Sequence, residues 1–109
     1  MKDDRLYLIH ISECIARIER YVREGREAFL TSTLIQDAVI RNLQTMAEST
    51  RHLSEAFKAK HPEIDWREIY GFRNVLVHDY LNVDILRIWL IVERNIPDLK
   101  KKIEGILAK

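Results

Sequence analysis

The sequence predicts an all-α fold, an antiparallel bundle of four to five helices, and three observations lead there. Apolar residues recur at spacings of three and four along most of the chain. Helix-capping patterns stand between those runs. The Asn-Gly and Asp-Gly pairs that mark tight β-hairpins do not occur. At 109 residues the chain suffices for one domain, residues 1–109, with a single core.

The first helix is expected from about Asp4 to Glu24, with Leu8, Ile11, Ile15, Ile18 and Val22 forming its apolar face. Glu13 with Arg17, and Glu19 with Arg23, stand four apart on the outer side, and Gly25 supplies a stop. A second helix is expected near Thr33, where Thr33 and Gln36 fit a capping box. Val39, Leu43, Met46, Leu53 and Phe57 carry its stripe as far as Pro62, giving a helix about 40 Å long. The third starts at a second box, Asp65 with Glu68, and the fourth near Asn82 and Val83. Pro97 is expected to kink or break that last helix, or to open a terminal one.

Within the fourth helix, ILRIWLIV (Ile85 to Val92) has Arg87 as its only polar residue. A lone strand there would have no partner. A helix apolar on nearly every side must be covered all round, and a four-helix bundle leaves one side bare. A two-fold homodimer through this region is the simplest cover. The alternative is that the terminal segment folds back over it.

Composition limits the function. The chain is 47% hydrophobic and 32% charged, with net charge +1, which argues against electrostatic coating of nucleic acid but leaves room for a local basic cleft. Cys14 is the only cysteine, so there is no internal disulfide and no cysteine-rich zinc site. Its neighbours Ile11, Ile15 and Ile18 mark it as a core residue. No signal-peptide pattern and no run long enough for a membrane span occurs, so no membrane partner and a cytoplasmic location are expected.

The stretch GFRNVLVHDY (Gly71 to Tyr80) carries the functional question. Arg73, Asn74 and His78 lie among Phe72, Val75, Leu76 and Val77, and burying polar groups costs free energy unless each finds a partner. At 100° per residue, Trp66, Ile69, Arg73, Leu76 and Tyr80 form one stripe, which Arg73 interrupts. Arg67, Gly71, Asn74 and His78 form an adjoining polar row. Gly71 weakens a helix, and its place on this row suggests the close approach of another backbone or a ligand. The plainer account is that Arg73 and His78 satisfy buried groups or form a dimer salt bridge.

RNVLVHDY reads R-N-x3-H-x-Y, through Arg73, Asn74, His78 and Tyr80. It resembles the signature of HEPN domains, and the tyrosine two places after the histidine resembles the HepT-like toxin branch. MAEST (Met46 to Thr50) resembles an element of that family's second helix, with Glu48 at the matching acid. Ala47 and Ser49 depart there from the family's usual small residues. HPEIDWREIYGFRN and YLNVDILRIW resemble the flanking elements, so the likeness covers essentially the whole chain.

The resemblance implies a bundle of HEPN type and a metal-independent endoribonuclease without a cofactor. It also implies an RNA substrate and the toxin half of a toxin–antitoxin pair, neutralised by an MNT-type nucleotidyltransferase antitoxin. A binding module that docks such a partner without cleaving RNA is the alternative. The residue types suit the chemistry. Histidine serves as acid or base near neutral pH, and arginine's planar fork suits a phosphate gaining charge. Asn74 is suited to orient His78 or hold a phosphate oxygen. One chain brings one histidine in this motif, so a dimer cleft would supply the pair. Tyr80 either packs at the cleft edge or, by resemblance, receives AMP from the antitoxin. Glu48 and His52, four apart, have metal-binding residue types, but with no second such pair they read as a surface pair and no metal is expected, while His10 and His61 look incidental. The basic run Lys100 to Lys102 reads as a solvated helix face, with guidance of RNA or a partner as the alternative.

Overall fold

The computed structural model describes residues 2–77 and 84–109, without the side chains of residues 2 and 74–77. The described residues are helical, with no strand. Helices α1 (Lys2–Tyr21), α3 (Thr33–Arg51), α5 (Trp66–Val77) and the pair α6 (Ile85–Leu90) and α7 (Ile96–Leu107) form the bundle, while the short α2 (Arg26–Thr31) and α4 (Glu55–Lys60) fill connections. Helix α3 is central, packing on α1, α2 and α5, and α7 closes against α1. The start of α1 meets the cap of α4 through Asp4 and Ser54, and Glu48 of α3 meets Arg73 of α5.

The predicted stripes form the core. Leu8, Ile11, Ile15 and Ile18 of α1 and Val39, Leu43 and Met46 of α3 are all buried, as is Cys14 among them. Burial pushes the Cys14 thiol upward, which suits a core residue. Among the described side chains of α5, Ile69 and Phe72 are buried. Arg73 lies beside that stripe at its wet margin, so it is not the core interruption the periodicity suggested.

Several boundaries differ for identifiable reasons. Helix α1 ends at Tyr21, and Gly25 starts α2 with φ 98° and ψ −173°, a conformation that favours glycine. The cap of α3 is Ser32, whose hydroxyl accepts from the Ile35 amide at 3.1 Å. The proposed Thr33 box does not form, because Gln36 donates to the Phe29 and Leu30 carbonyls at 2.9 and 3.2 Å. The predicted Asp65 cap is present, accepting from the Glu68 amide at 3.0 Å, but the Glu68 carboxylate accepts from Asn95 at 2.9 Å. The long second helix is broken after Arg51. There Asp4 takes the Ser54 amide and hydroxyl, each at 2.7 Å, and Ser54 caps α4 by accepting from the Phe57 amide at 3.1 Å.

The last helix passes Pro97 by widening. Ile91–Asn95 form a π-helical turn, and Pro97 falls in the first turn of α7. Proline has no N–H to donate and its ring crowds the carbonyl four residues back, so a wider turn before it relieves both problems. The charged pairs also differ from expectation. Glu19 meets Lys100 of α7 at 3.0 Å instead of Arg23, and this bond raises the Lys100 pKa. Lys102 pairs with Asp98 at 2.9 Å, so two lysines of the basic run are engaged within the fold.

Ile88, Trp89, Ile91 and Val92 of the apolar segment are buried within the chain, whereas Leu86 is 53% and Leu90 41% exposed. Being four apart, they share one helix face. Asn82 and Val83, the expected start of this helix, lie outside the described residues. Its described start is capped by Asp84, which accepts from the Arg87 amide at 3.2 Å. No described helix is long and apolar enough to cross a membrane.

Candidate active site

Helices α3 and α5 bring Arg73 and Glu48 together. Arg73 Nε stands 3.0 Å from Glu48 Oε1, with both side chains 41% exposed. The other carboxylate oxygen lies 3.6 Å from Arg51, one turn along α3. Two guanidinium groups therefore share one carboxylate, leaving a net positive charge. Glu48 engages Arg73 through Nε, one of five N–H donors on a rigid fork. The wet setting makes the pair weak as a stabiliser, so its physical effect is to orient Arg73.

Glu48 comes from a helix turn whose adjacent residues are fixed from the other side. Ala47 is fully buried, and Ser49 is buried with its hydroxyl 2.6 Å from His10 Nδ1. The departures at these two positions are thus accommodated by the α1–α3 core, and His10 has a structural partner. His52 is not paired with Glu48. Its ring stacks on Tyr7 with centroids 4.9 Å apart. His61 lies 3.4 Å from Glu63 and packs its ring against Phe57.

Gly71 lies on α5, and a Cβ built there meets no described atom within 4 Å. No described backbone makes the close approach suggested for it. The Asn74 backbone continues α5, while its side chain is outside the description. His78 and Tyr80 lie outside the described residues. The geometry consequently joins Arg73, Glu48 and Gly71 to one region, and Arg51 enters it as a residue that sequence reasoning missed. Its four-residue separation from Glu55 and three-residue separation from Glu48 look like ordinary helix-surface spacing, which gives no signal of a shared site.

A solvated, buttressed arginine on a helical bundle fits an anion-handling site. The chain matches the ribonuclease HepT-like family over residues 11–106. It belongs to that family. It is 42% identical over 101 residues to "Probable ribonuclease HepT" of Thermococcus cleftensis, covering 92% of each chain. It is 36% identical over 110 residues to a protein of Caldanaerobacter subterraneus that is named provisionally as an RNase, covering 100% of this chain and 98% of that one. A third relative, from Methanocaldococcus jannaschii, combines a gamma-glutamylcyclotransferase with a provisional RNase in its name. Identity there is 38% over 109 residues, covering 99% of this chain but 49% of the relative. No solved structure matches the chain.

Proposed function

We propose that the chain is a metal-independent endoribonuclease, the toxin of a toxin–antitoxin pair, with its reaction centre at a two-fold dimer cleft. The observation that carries this reading is the Arg73–Glu48–Arg51 arrangement, with one carboxylate orienting a guanidinium that stays accessible. Family membership and the relatives' names support it. In the proposed reaction a base removes the RNA 2′-hydroxyl proton as that oxygen bonds to phosphorus. The bond from phosphorus to the 5′-oxygen breaks, and an acid returns a proton to the leaving oxygen. Arg73 holds the phosphate as its charge grows. His78 from each protomer supplies the acid and the base, and Asn74 orients the histidine or the phosphate.

The dimer is supported by the exposed Leu86 and Leu90 on α6, which a second copy would cover. Neutralisation by a nucleotidyltransferase that adds AMP to Tyr80 rests on the resemblance of R-N-x3-H-x-Y. A phosphate placed beside Arg73 and His78 would occupy the anion site and exclude RNA.

Expression of wild type and His78→Ala, each with and without the neighbouring gene product, tests this reading. RNA should be degraded in the presence of a chelator by wild type alone, and only without its partner. Equal RNA survival with both proteins in the absence of the partner would sink the nuclease assignment. Intact mass after co-expression should show added AMP that is absent from Tyr80→Phe.

A further inference from the structure

Beside Arg51, which shares Glu48 with Arg73, a groove of about 660 Å³ runs between the end of α3, α4 and the first turns of α5. Its walls carry Arg51, Lys58, Arg67, Trp66 and Tyr70, and Gly71 stands at its edge. Among the described residues lining it, Glu55 is the only acidic one. Three cations against one carboxylate contrast with a whole-chain charge of +1. The Glu55–Lys58 contact is loose at 3.7 Å, and no described carboxylate forms an ion pair with Arg67.

Trp66 is built as a fixed surface. Its indole N–H donates to the Lys58 and His61 carbonyls at 3.2 and 3.1 Å, so its polar edge is satisfied and its ring cannot swing freely. Tyr70 is 36% exposed one turn along α5. Cations interleaved with aromatic rings are what an unpaired strand requires, with charge for phosphates and flat faces for bases. The wide, shallow groove of an RNA duplex offers no unstacked base for such rings.

The groove is joined to the site in two ways. Arg51 lines it and also shares Glu48 with Arg73. Arg67 and Gly71 are the first half of the polar row that continues in sequence to Asn74 and His78. Arg67 and Arg73 are about 9 Å apart along the helix axis and about 120° apart around it, so their long side chains can reach a strand lying across α5. Gly71 is unexplained by internal packing, since no described atom comes within 4 Å of a Cβ built there. Its lack of a side chain keeps the passage along the groove past α5 open.

We propose that this groove is a single-stranded RNA subsite, holding nucleotides next to the phosphate that Arg73 handles, with Tyr70 and Trp66 stacking bases and Arg67 pairing with phosphate. The proposal rests on the ribonuclease reading for its ligand, but its test does not require cleavage. Binding is measured in a His78→Ala background with a fluorescent single-stranded RNA of about 12 nucleotides, across a salt series. Tyr70→Ala should weaken binding about tenfold. Arg67→Ala should make the slope of log affinity against log salt shallower by about 0.7, the loss of one phosphate contact. Gly71→Leu, which keeps both ring and charge, should also weaken binding by narrowing the passage. Melting curves identify any variant that fails to fold.

Unchanged affinity and salt slope in all folded variants would overturn the subsite, as would an absence of RNA binding by the parent. Loss of nucleotidyltransferase capture with RNA affinity intact would also overturn it, by assigning the groove to a protein partner. Failure of the nuclease reading appears separately, as RNA surviving the wild-type protein.

Discussion

Helix α3 presents two different interfaces from neighbouring residues. Ser49 is buried and bonds His10 of α1 at 2.6 Å, whereas Glu48 is 41% exposed and meets Arg73 of α5 at 3.0 Å. The α1 side is closed by apolar packing, with its few polar groups paired. The α5 side keeps its charges in water. A well-packed face can therefore hold a chemically useful group on its other side at a defined angle, and this supports a site better than a mobile loop would.

The sharpest way to break the contrast is to cut into the closed side. Leu43 is fully buried in α3, and Leu43→Ala should cost about 3 kcal/mol in a denaturant melt. A domain of this size has about 5–15 kcal/mol in total, so the protein should remain folded at room temperature but melt earlier. A loss below about 0.5 kcal/mol would show that the α1–α3 side is not the stabilising one.

On the open side the expected cost falls on activity instead. Arg73→Ala should lower RNA cleavage about 100-fold, equivalent to about 2.7 kcal/mol of transition-state stabilisation, with little change in melting temperature. Arg73→Lys should recover only part of this, because an ammonium keeps the charge and loses the planar fork. Glu48→Gln removes the charge but keeps a hydrogen-bond acceptor, and should impair cleavage less than Arg73→Ala. Initial rates on a common RNA rank the three. Wild-type rates for all of them would separate this arginine from the reaction.

These two sides were not equally legible. The closed side was readable because burial imposes a period, and Leu8, Ile11, Val39, Leu43 and Met46 all fall where spacing puts them. The break between α3 and α4 was not, because Leu53 and Phe57 are four apart and carry the stripe across it unshifted. What breaks the helix is Asp4, fifty residues away from Ser54, and long-range polar pairing leaves no local pattern. On the open side, the motif identified Arg73 and Glu48 through resemblance. The groove residues Arg51, Lys58 and Tyr70 carried no signal, since exposed residues have no period to obey.

Asp4 is the exception on the closed side, a carboxylate only 4% exposed. Burial alone would raise its pKa, but the two Ser54 bonds and the nearby Lys58 ammonium outweigh that and hold it below the ordinary carboxylate value. A pKa lowered in the folded state stabilises fully above the unfolded value, near about 4, and the benefit disappears as pH falls through the folded value. Asp4→Ala should therefore cost about 2 kcal/mol at pH 7, by stranding the Ser54 amide and hydroxyl. The gap between variant and wild type should narrow below about pH 4. A gap that widens in acid would mean the carboxylate is not the bonded form.

The smallest expected change is the most discriminating, because it should move stability and function in opposite directions. Gly71 lies in the interior of α5 with no described neighbour within 4 Å of a Cβ. Gly71→Ala should thus gain about 0.5–1 kcal/mol by reducing the freedom of the unfolded chain. If glycine is there for packing, alanine should destabilise and leave RNA handling untouched. If it is there to keep the surface open, alanine should raise the melting temperature while weakening RNA binding by a small factor. Gly71→Leu should weaken binding further, with its longer side chain reaching into the passage. Stability rising as affinity falls, in step with side-chain size, would tie the open side of the bundle to an occupant from outside this chain.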